Sequence, residues 1–493
     1  MHKSTARTHH QVTFAVLSVG VGAFALLQSL VTPALPTIQA ALHTSQTQVT
    51  WVLTAYLLSA SIFTPIIGRL GDMNGKRRFF VIALLALAVG SLLAAVATTL
   101  PIMIVARLIQ GVGGGVLPLA FGIIRDEFPA EKVGGAVGLI AALTAIGAGF
   151  GIVLAGPIVS ALSYRWLFWI PLIMVVVAAI AAQLLVPESR EKTPARINWW
   201  AALLMSGWLV ALLVAVSQAP SWGWGSVEVL GLIVAAAILC VLWVLVESRS
   251  INPLIDMKMM AIRQVWATNL VALLFGVALY ALLGFLPAFL QTPSGSGYGF
   301  DASITQSGVM LLPQAVFMFL IGLVAGRLAQ RFGSKLVLVS GSLIAFVALL
   351  TLAFAHTHAW EIYLTTSLTG IGFGLAFASM SNIIVTAVPR EQTGVASGMN
   401  ANIRTIGGSL GAAVVASVVA ANAGPSGVPA ESGYTNSFLL LAVAMFLSAI
   451  AGLLIPRIKR HTVGNHTEES PVPLRHGELA MVAGGTVVGD ESE

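Results

Sequence analysis

Gly68-Arg69-Leu70-Gly71-Asp72-Met73-Asn74-Gly75-Lys76-Arg77 is answered 258 residues later by Gly326-Arg327-Leu328-Ala329-Gln330-Arg331-Phe332-Gly333-Ser334-Lys335. Both stretches open with Gly-Arg-Leu and reach another Gly at the same spacing. The echo continues downstream. Gly111, Gly113 and Gly115 match Gly370, Gly372 and Gly374 at an offset of 259, and Pro129-x-Glu131-x-x-Gly134-x-x-x-Gly138 matches Pro389-x-Glu391-x-x-Gly394-x-x-x-Gly398 at 260. Three matches in order at a nearly fixed offset mean that the chain is built from two related halves.

Everything around these segments is apolar. Of 493 residues, 57% are hydrophobic and 9% charged, with a mean hydropathy of +0.92. A soluble chain of this length needs more surface charge than that. The apolar residues come in blocks of about 18 to 25, the length that crosses ~30 Å of hydrocarbon as a helix. Fourteen spans follow, at roughly 13–35, 50–69, 79–97, 101–124, 135–160, 166–186, 198–216, 227–246, 265–290, 305–325, 336–354, 361–386, 398–421 and 437–455. The expected fold is an all-α polytopic membrane protein of 14 transmembrane helices, with two six-helix pseudo-repeat bundles (13–186 and 265–455) and an inserted two-helix hairpin (198–246). An even span count places the N-terminus (1–12) and a polar, disordered tail (456–493) on one side. Because the hairpin adds two spans, both halves enter from the same side, a parallel duplication suited to two bundles that rock about a central site.

Charge sets the orientation. The net charge of +6 suggests an acidic or nucleic-acid partner until its positions are read. All of the 25 Lys and Arg except Arg107, Arg165 and Arg404 fall at the N-terminus, in alternate loops or in the tail. That is the positive-inside pattern, so both termini are expected to be cytoplasmic and no nucleic acid is expected as partner. The lone Cys240 excludes an intramolecular disulfide and a multi-cysteine metal site. The apolar stretch from about Val12 to Pro36 is too long for a cleaved signal and forms the first span. No G-x-x-x-x-G-K-[ST] loop is present, so neither ATP nor another cofactor is expected.

Chemistry concentrates in a few places. Asp72 follows the second span, with cations at Lys76, Arg77 and Arg78 beside the third. A carboxylate there can hold a neighbouring helix terminus or a basic side chain in one conformation and release it in another, while Gly68 and Gly75 allow a tight turn and close helix approach. The plainer role is a basic loop that only fixes orientation, but an acid adds nothing to that. Gln330 replaces the acid in the second copy, so a charge-based latch would be asymmetric. Arg107 lies about six residues into an apolar span, with Gln110 one turn away on nearly the same face. An arginine near the bilayer centre costs ~2.5–3.5 kcal/mol on insertion scales, so it should face the bundle interior. It suits transport, packing against backbone carbonyls, or snorkelling to the outer surface.

These segments resemble those of a known family. Gly68, Leu70, Asp72, Gly75, Lys76 and Arg77 match the loop signature G-x-L-x-D-x-x-G-[RK]-[RK] of the major facilitator superfamily, and Arg107-Leu108-Ile109-Gln110-Gly111 resembles its R-x-x-Q-G motif. Fourteen spans make the chain similar to the drug:proton antiporter branch with an inserted hairpin. The run from Gly147 through Gly151 to Gly156-Pro157 resembles the antiporter motif G-x-x-x-G-P-x-x-G-G, with Ile152 in place of Pro and Ala155 in place of Gly. In the first span, Leu27 stands where the branch carries a buried Asp, and Gln28 is the nearest polar substitute. The resemblance implies a secondary transporter of the bacterial inner or plasma membrane. It would export small molecules such as drugs or antibiotics by alternating access, coupled to the proton gradient and working as a monomer, with Arg107 in coupling or substrate contact.

All nineteen Asp and Glu fall outside the central part of any span, and no His lies within one. The buried charges are the cations Arg107 and Arg404. The passage should therefore favour neutral or anionic substrates, with any proton carried by a boundary acid such as Asp72 or by the substrate itself. Polar residues expected along the path are Gln28, Thr32, Gln110, Asn269, Gln314 and Asn382, although a helix–helix hydrogen bond is the plainer role for each. Uptake or exchange of a nutrient is the rival within transport. The loss of the span-one Asp and the span-five Pro leaves that rival some room. A non-transporting sensor or scaffold is the rival outside transport, and the two-fold repeat with Arg107 midway along a span argues against it, because a scaffold needs no polar interior.

Overall fold

The computed structural model describes residues 2–456 apart from 45, 50, 190–197, 252 and 423–428. The proposed tail, 456–493, lies outside the described residues except for Pro456. Among the described residues, fourteen helices are long and apolar enough to cross a bilayer. The first six are α1 (His10–Ala34), α2 (Trp51–Asn74), α3 (Lys76–Ala95), α4 (Leu100–Glu127), α5 (Ala130–Ala161) and α6 (Trp166–Leu185). The hairpin is α7 (Trp199–Trp222) and α8 (Val227–Arg249). The last six are α9 (Arg263–Gln291), α10 (Thr305–Phe332), α11 (Ser334–Phe354), α12 (Ala359–Ala387), α13 (Arg390–Ala421) and α14 (Glu431–Leu453).

Several helices outrun their hydropathy. The expected ends near 69 for α2, 216 for α7, and the expected starts near 135, 398 and 437 for α5, α13 and α14 all fall inside helix. Backbone hydrogen bonding continues past the apolar stretch wherever polar side chains find partners, and hydropathy alone does not register that. The clearest correction concerns the gating loop. Gly68 and Asp72 lie within α2, Lys76 and Arg77 open α3, and Gly75 alone breaks the helix, at φ +118°. That φ favours glycine, and a Cβ there would stand 2.6 Å from the Glu188 carboxylate. In α4 the glycine run tightens into a 3₁₀ turn at Val112–Gly115. Cβ atoms on Gly113 and Gly115 would stand 2.2 Å from Leu87 and 2.3 Å from Ile67, so these glycines let α4 press against α3 and α2.

The repeat reappears as two equivalent seams. Helix α2 packs on α13, and its counterpart α10 packs on α5. In the first seam, a Cβ on Gly68 would stand 2.6 Å from the Gly394 carbonyl oxygen, and one on Gly398 would stand 3.1 Å from that of Thr64. In the second, a Cβ on Gly326 would stand 2.6 Å from the Gly135 Cα, and one on Gly138 would stand 3.6 Å from the Gly322 carbonyl oxygen. With no hydrophobic drive between helices in lipid, such small-residue contacts and interhelical hydrogen bonds hold the seams. The hairpin is asymmetric. Helix α7 packs on both α2 and α13 and is bonded to α2 by Thr54 and Ser217 at 3.2 Å, while in the turn after α7 Trp224 Nε1 donates to Ser417 Oγ of α13 at 2.7 Å. Helix α8 packs on α7 and is otherwise largely exposed.

Candidate functional site

Asp72 is fully buried at the end of α2. Its carboxylate accepts hydrogen bonds from the backbone N–H groups of Gly394 (3.3 Å) and Val395 (3.0 Å), in the first turn of the α-helical part of α13, Thr393–Ala421. A helix N-terminus leaves its first N–H groups without intrahelical partners and carries the positive end of the macrodipole, so a carboxylate is the matched group. Lys76, also fully buried, stands 3.8 Å from Asp72, donates to Asp126 at 2.8 Å and reaches the Arg390 carbonyl at 3.2 Å. Ser189 donates to the same Asp126 carboxylate. Arg125 donates to the carbonyls of Val388 (2.6 Å) and Pro389 (3.1 Å) and to Thr393 Oγ1 (2.6 Å). Arg77 pairs with Glu188 at 3.5 Å, within the first half.

The second seam carries the same geometry with other chemistry. Gln330, the counterpart of Asp72, donates through Nε2 to the Glu131 carbonyl at 2.8 Å, at the start of α5. The carboxylate therefore caps a helix in one seam only. Sequence reading missed Arg125, Asp126 and Ser189 in this cluster, because an Arg-Asp-Glu run after a span looks like ordinary boundary charge.

Arg107 is wholly enclosed. Its Nε donates to the Val52 carbonyl (2.9 Å), Nη1 to Gln110 Oε1 (2.8 Å), and its guanidinium lies 4.6 Å from the Tyr56 ring centroid. Gln110 in turn donates to Ser91 Oγ at 3.0 Å. All of these partners belong to α2, α3 and α4. In the second half Thr366 occupies the equivalent position and donates to the Met310 carbonyl at 3.2 Å, the counterpart of Val52.

The glycines of α5 serve two neighbours. Cβ atoms on Gly147 and Gly151 would meet Ala25 at 2.9 Å and Ser29 Oγ at 1.9 Å on α1, whereas one on Gly149 would meet Ala315 of α10 at 1.9 Å. Further along, Gly156 lines a crevice of about 560 Å³ with Pro33, Thr37, Ser160, Gln291 and Ser303, at the end of the molecule opposite Asp72. Pro157 is exposed.

The expected path residues are spread over several helices, α1, α4, α9, α10 and α12. Gln28 is half-buried and Thr32 exposed near the end of α1. Asn269 accepts from Asn400 at 2.9 Å, and Asn382 donates to Ser334 at 3.0 Å, near the Asp72 end. Gln314 is buried with its Oε1 unpartnered among the described residues. None of these, nor Arg107 or Gln110, lines the crevice or a second cleft between the halves. That cleft, about 10 Å³, is bounded by Leu117, Pro118 and Phe121 of α4 and by Ser381, Ile384, Ser397, Asn400, Ala401 and Arg404 of α12 and α13.

Comparison with known proteins finds relatives in sequence and in fold. The family model described as Major Facilitator Superfamily matches residues 17–412 and again 297–484. The tetracenomycin C resistance and export protein of Streptomyces glaucescens is 29% identical over 421 residues, covering 84% of this chain and 76% of its own. The multidrug resistance protein Stp of Mycobacterium tuberculosis is 29% identical over 413 residues, 82% of this chain and 75% of that protein. The human organic anion transporter MFSD10 (TETRAN) superposes with a TM-score of 0.64 at 17% identity, covering 91% of this chain and 99% of that one, which is a likeness of fold.

Proposed function

Because this chain belongs to the Major Facilitator Superfamily, we propose that it exports drugs, antibiotics or metabolites by alternating access, uses the proton gradient and favours neutral or anionic substrates. As a family member it is a multi-pass transporter of the bacterial cell membrane and not an enzyme. The relative from Streptomyces is named for resistance and export, and the one from Mycobacterium for multidrug resistance, which supports the export reading.

One observation carries the mechanism. The halves are clamped at one end, by Asp72 on α13 and by Lys76 and Arg125 on the α12–α13 connection, and leave a crevice at the other. Two halves joined by a charge-built contact at one end and by small-residue packing elsewhere have a natural way to part. The positive-inside pattern puts the clamped end in the cytoplasm, so this conformation is the outward-facing one. Releasing Asp72 from the α13 terminus would open the cytoplasmic end. The buried carboxylates of Asp72 and Asp126, both in contact with Lys76, are the groups through which a proton can act on that contact. Arg107 supports the cycle as a positioning residue that fixes α2 against α4.

The test is a susceptibility panel in a bacterium stripped of its own exporters, paired with uptake into inverted membrane vesicles. Expression should raise tolerance to hydrophobic neutral or anionic compounds, and an imposed inside-acid gradient should drive their accumulation. A quaternary ammonium emerging as the best substrate would overturn the charge preference. Accumulation indifferent to the gradient would remove proton coupling.

A further inference from the structure

Two arginines lie deep in spans, and they are housed differently. Arg107 is turned inward among first-half helices, where a backbone carbonyl, a Gln side chain and a Tyr ring receive it. Arg404 lies between the halves. It is 7% exposed, sits about 15 Å along α13 from the Asp72 contact at ~1.5 Å per residue, and lines the cleft whose opposite wall is α4. Among the described residues no carboxylate lies within ion-pair distance of it, and its guanidinium rests over the Phe377 ring, 4.6 Å from the centroid. Phe377 is backed by Phe275, with centroids 6.0 Å apart. Ser397, on the same wall, has a buried Oγ with no partner among the described residues.

An intramembrane cation without a protein counter-charge is expensive, and its natural complement is a charge that arrives with a ligand. We propose that Arg404 anchors the anionic group of a lipophilic organic anion, such as a carboxylate or phenolate on an aromatic ring system. The guanidinium fork would take the anion's oxygens, Ser397 and Asn400 would add neutral hydrogen bonds, and Phe121 and Phe377 would flank the ring. The cleft now has room for about one water, so the ligand enters only when α4 and α13 separate. Arg404 and the Asp72 contact ride on the same helix, so filling the site and releasing the clamp are mechanically linked. The word substrate here rests on the transport reading above; the binding of an anion does not.

Two xanthene dyes of similar shape and opposite charge make the test: fluorescein, a dianion in mildly alkaline buffer, and rhodamine 6G, a cation. Binding to the purified full-length chain in detergent is followed by dye anisotropy, and movement by dye uptake into inverted vesicles. Arg404→Gln should weaken fluorescein binding by about tenfold or more and leave rhodamine 6G unchanged or tighter, while Arg404→Lys keeps part of the anion affinity. Asn400→Asp keeps Arg404 but gives it a carboxylate one turn away, with Asn269 able to donate to the new acid, and should reproduce the anion-selective loss. The assignment is overturned if wild type binds no fluorescein, if Arg404→Gln stays within twofold, or if both dyes weaken together in both variants. Arg404-dependent binding without dye movement would sink the export reading and leave the anion site standing.

Discussion

At the scale of single residues, a guanidinium inside hydrocarbon must find acceptors, and for Arg107 they come from residues 55 positions upstream and 3 downstream. Arg107→Met keeps the bulk and deletes the donors, leaving Gln110 Oε1 unpaired in a dry interior. The expected loss is about 1–3 kcal/mol, seen as a lower denaturation temperature and a smaller monodisperse fraction in detergent. Arg107→Lys should not restore it, because one ammonium cannot reach both the Val52 carbonyl and Gln110 in the geometry of the planar fork. An unchanged melt for either variant would show that the bonds carry no stability. Glu247 teaches a related lesson. It sits at a helix end as its sequence position implies, yet it is 2% exposed and accepts from the backbone N–H groups of Leu254 (2.9 Å) and Ile255 (3.3 Å), folding the hairpin's exit back on itself.

At the scale of elements, helix contacts in lipid are set by how closely backbones approach. A Cβ on Gly68 would stand 2.6 Å from a backbone oxygen of α13, which cannot swing away, whereas one on Gly135 meets nothing within 4 Å. Gly68→Ala should therefore force the first seam apart and cut export several-fold at equal expression, while Gly135→Ala should transport like wild type; equal behaviour of the two would refute the seam geometry. Asp72→Asn retains an acceptor but removes the charge facing the α13 terminus. The loss of charge–dipole stabilisation, about 0.3–2 kcal/mol, should populate conformations with the α2 and α13 ends separated. Spin labels on those ends, in a Cys240→Ala background, would report a longer distance component that grows in the variant. A distance distribution identical to wild type would deny Asp72 any hold on the equilibrium.

At the scale of the whole molecule, the transport cycle proposed above requires the halves to move against each other, and the contact of α5 with α12, beside the second seam, offers a direct check. A Cβ on Gly138 of α5 would stand 3.7 Å from that of Ala378 on α12, inside the ~3.5–4.5 Å window of a disulfide. The pair Gly138→Cys and Ala378→Cys, again with Cys240→Ala, should cross-link on oxidation, stop export and recover it on reduction. Continued export by the bridged protein would rule out a cycle in which these helices part. The sequence alone determined the all-helical class, the fourteen spans and the internal duplication, because hydropathy and repeat spacing are properties of contiguous chain. It also picked out Asp72 and the glycines, whose types are unusual for where they stand. Tertiary structure decided the rest. Asp72 meets a helix terminus 322 residues away, and Arg125 and Asp126 join it from α4. Arg107 and Arg404 look alike in a linear reading, as cations set in apolar blocks. Which one is hydrogen-bonded within its own half, through Nε and Nη1, and which is left facing the seam depends on the neighbours that surround it, and those are chosen by helix packing across the whole chain.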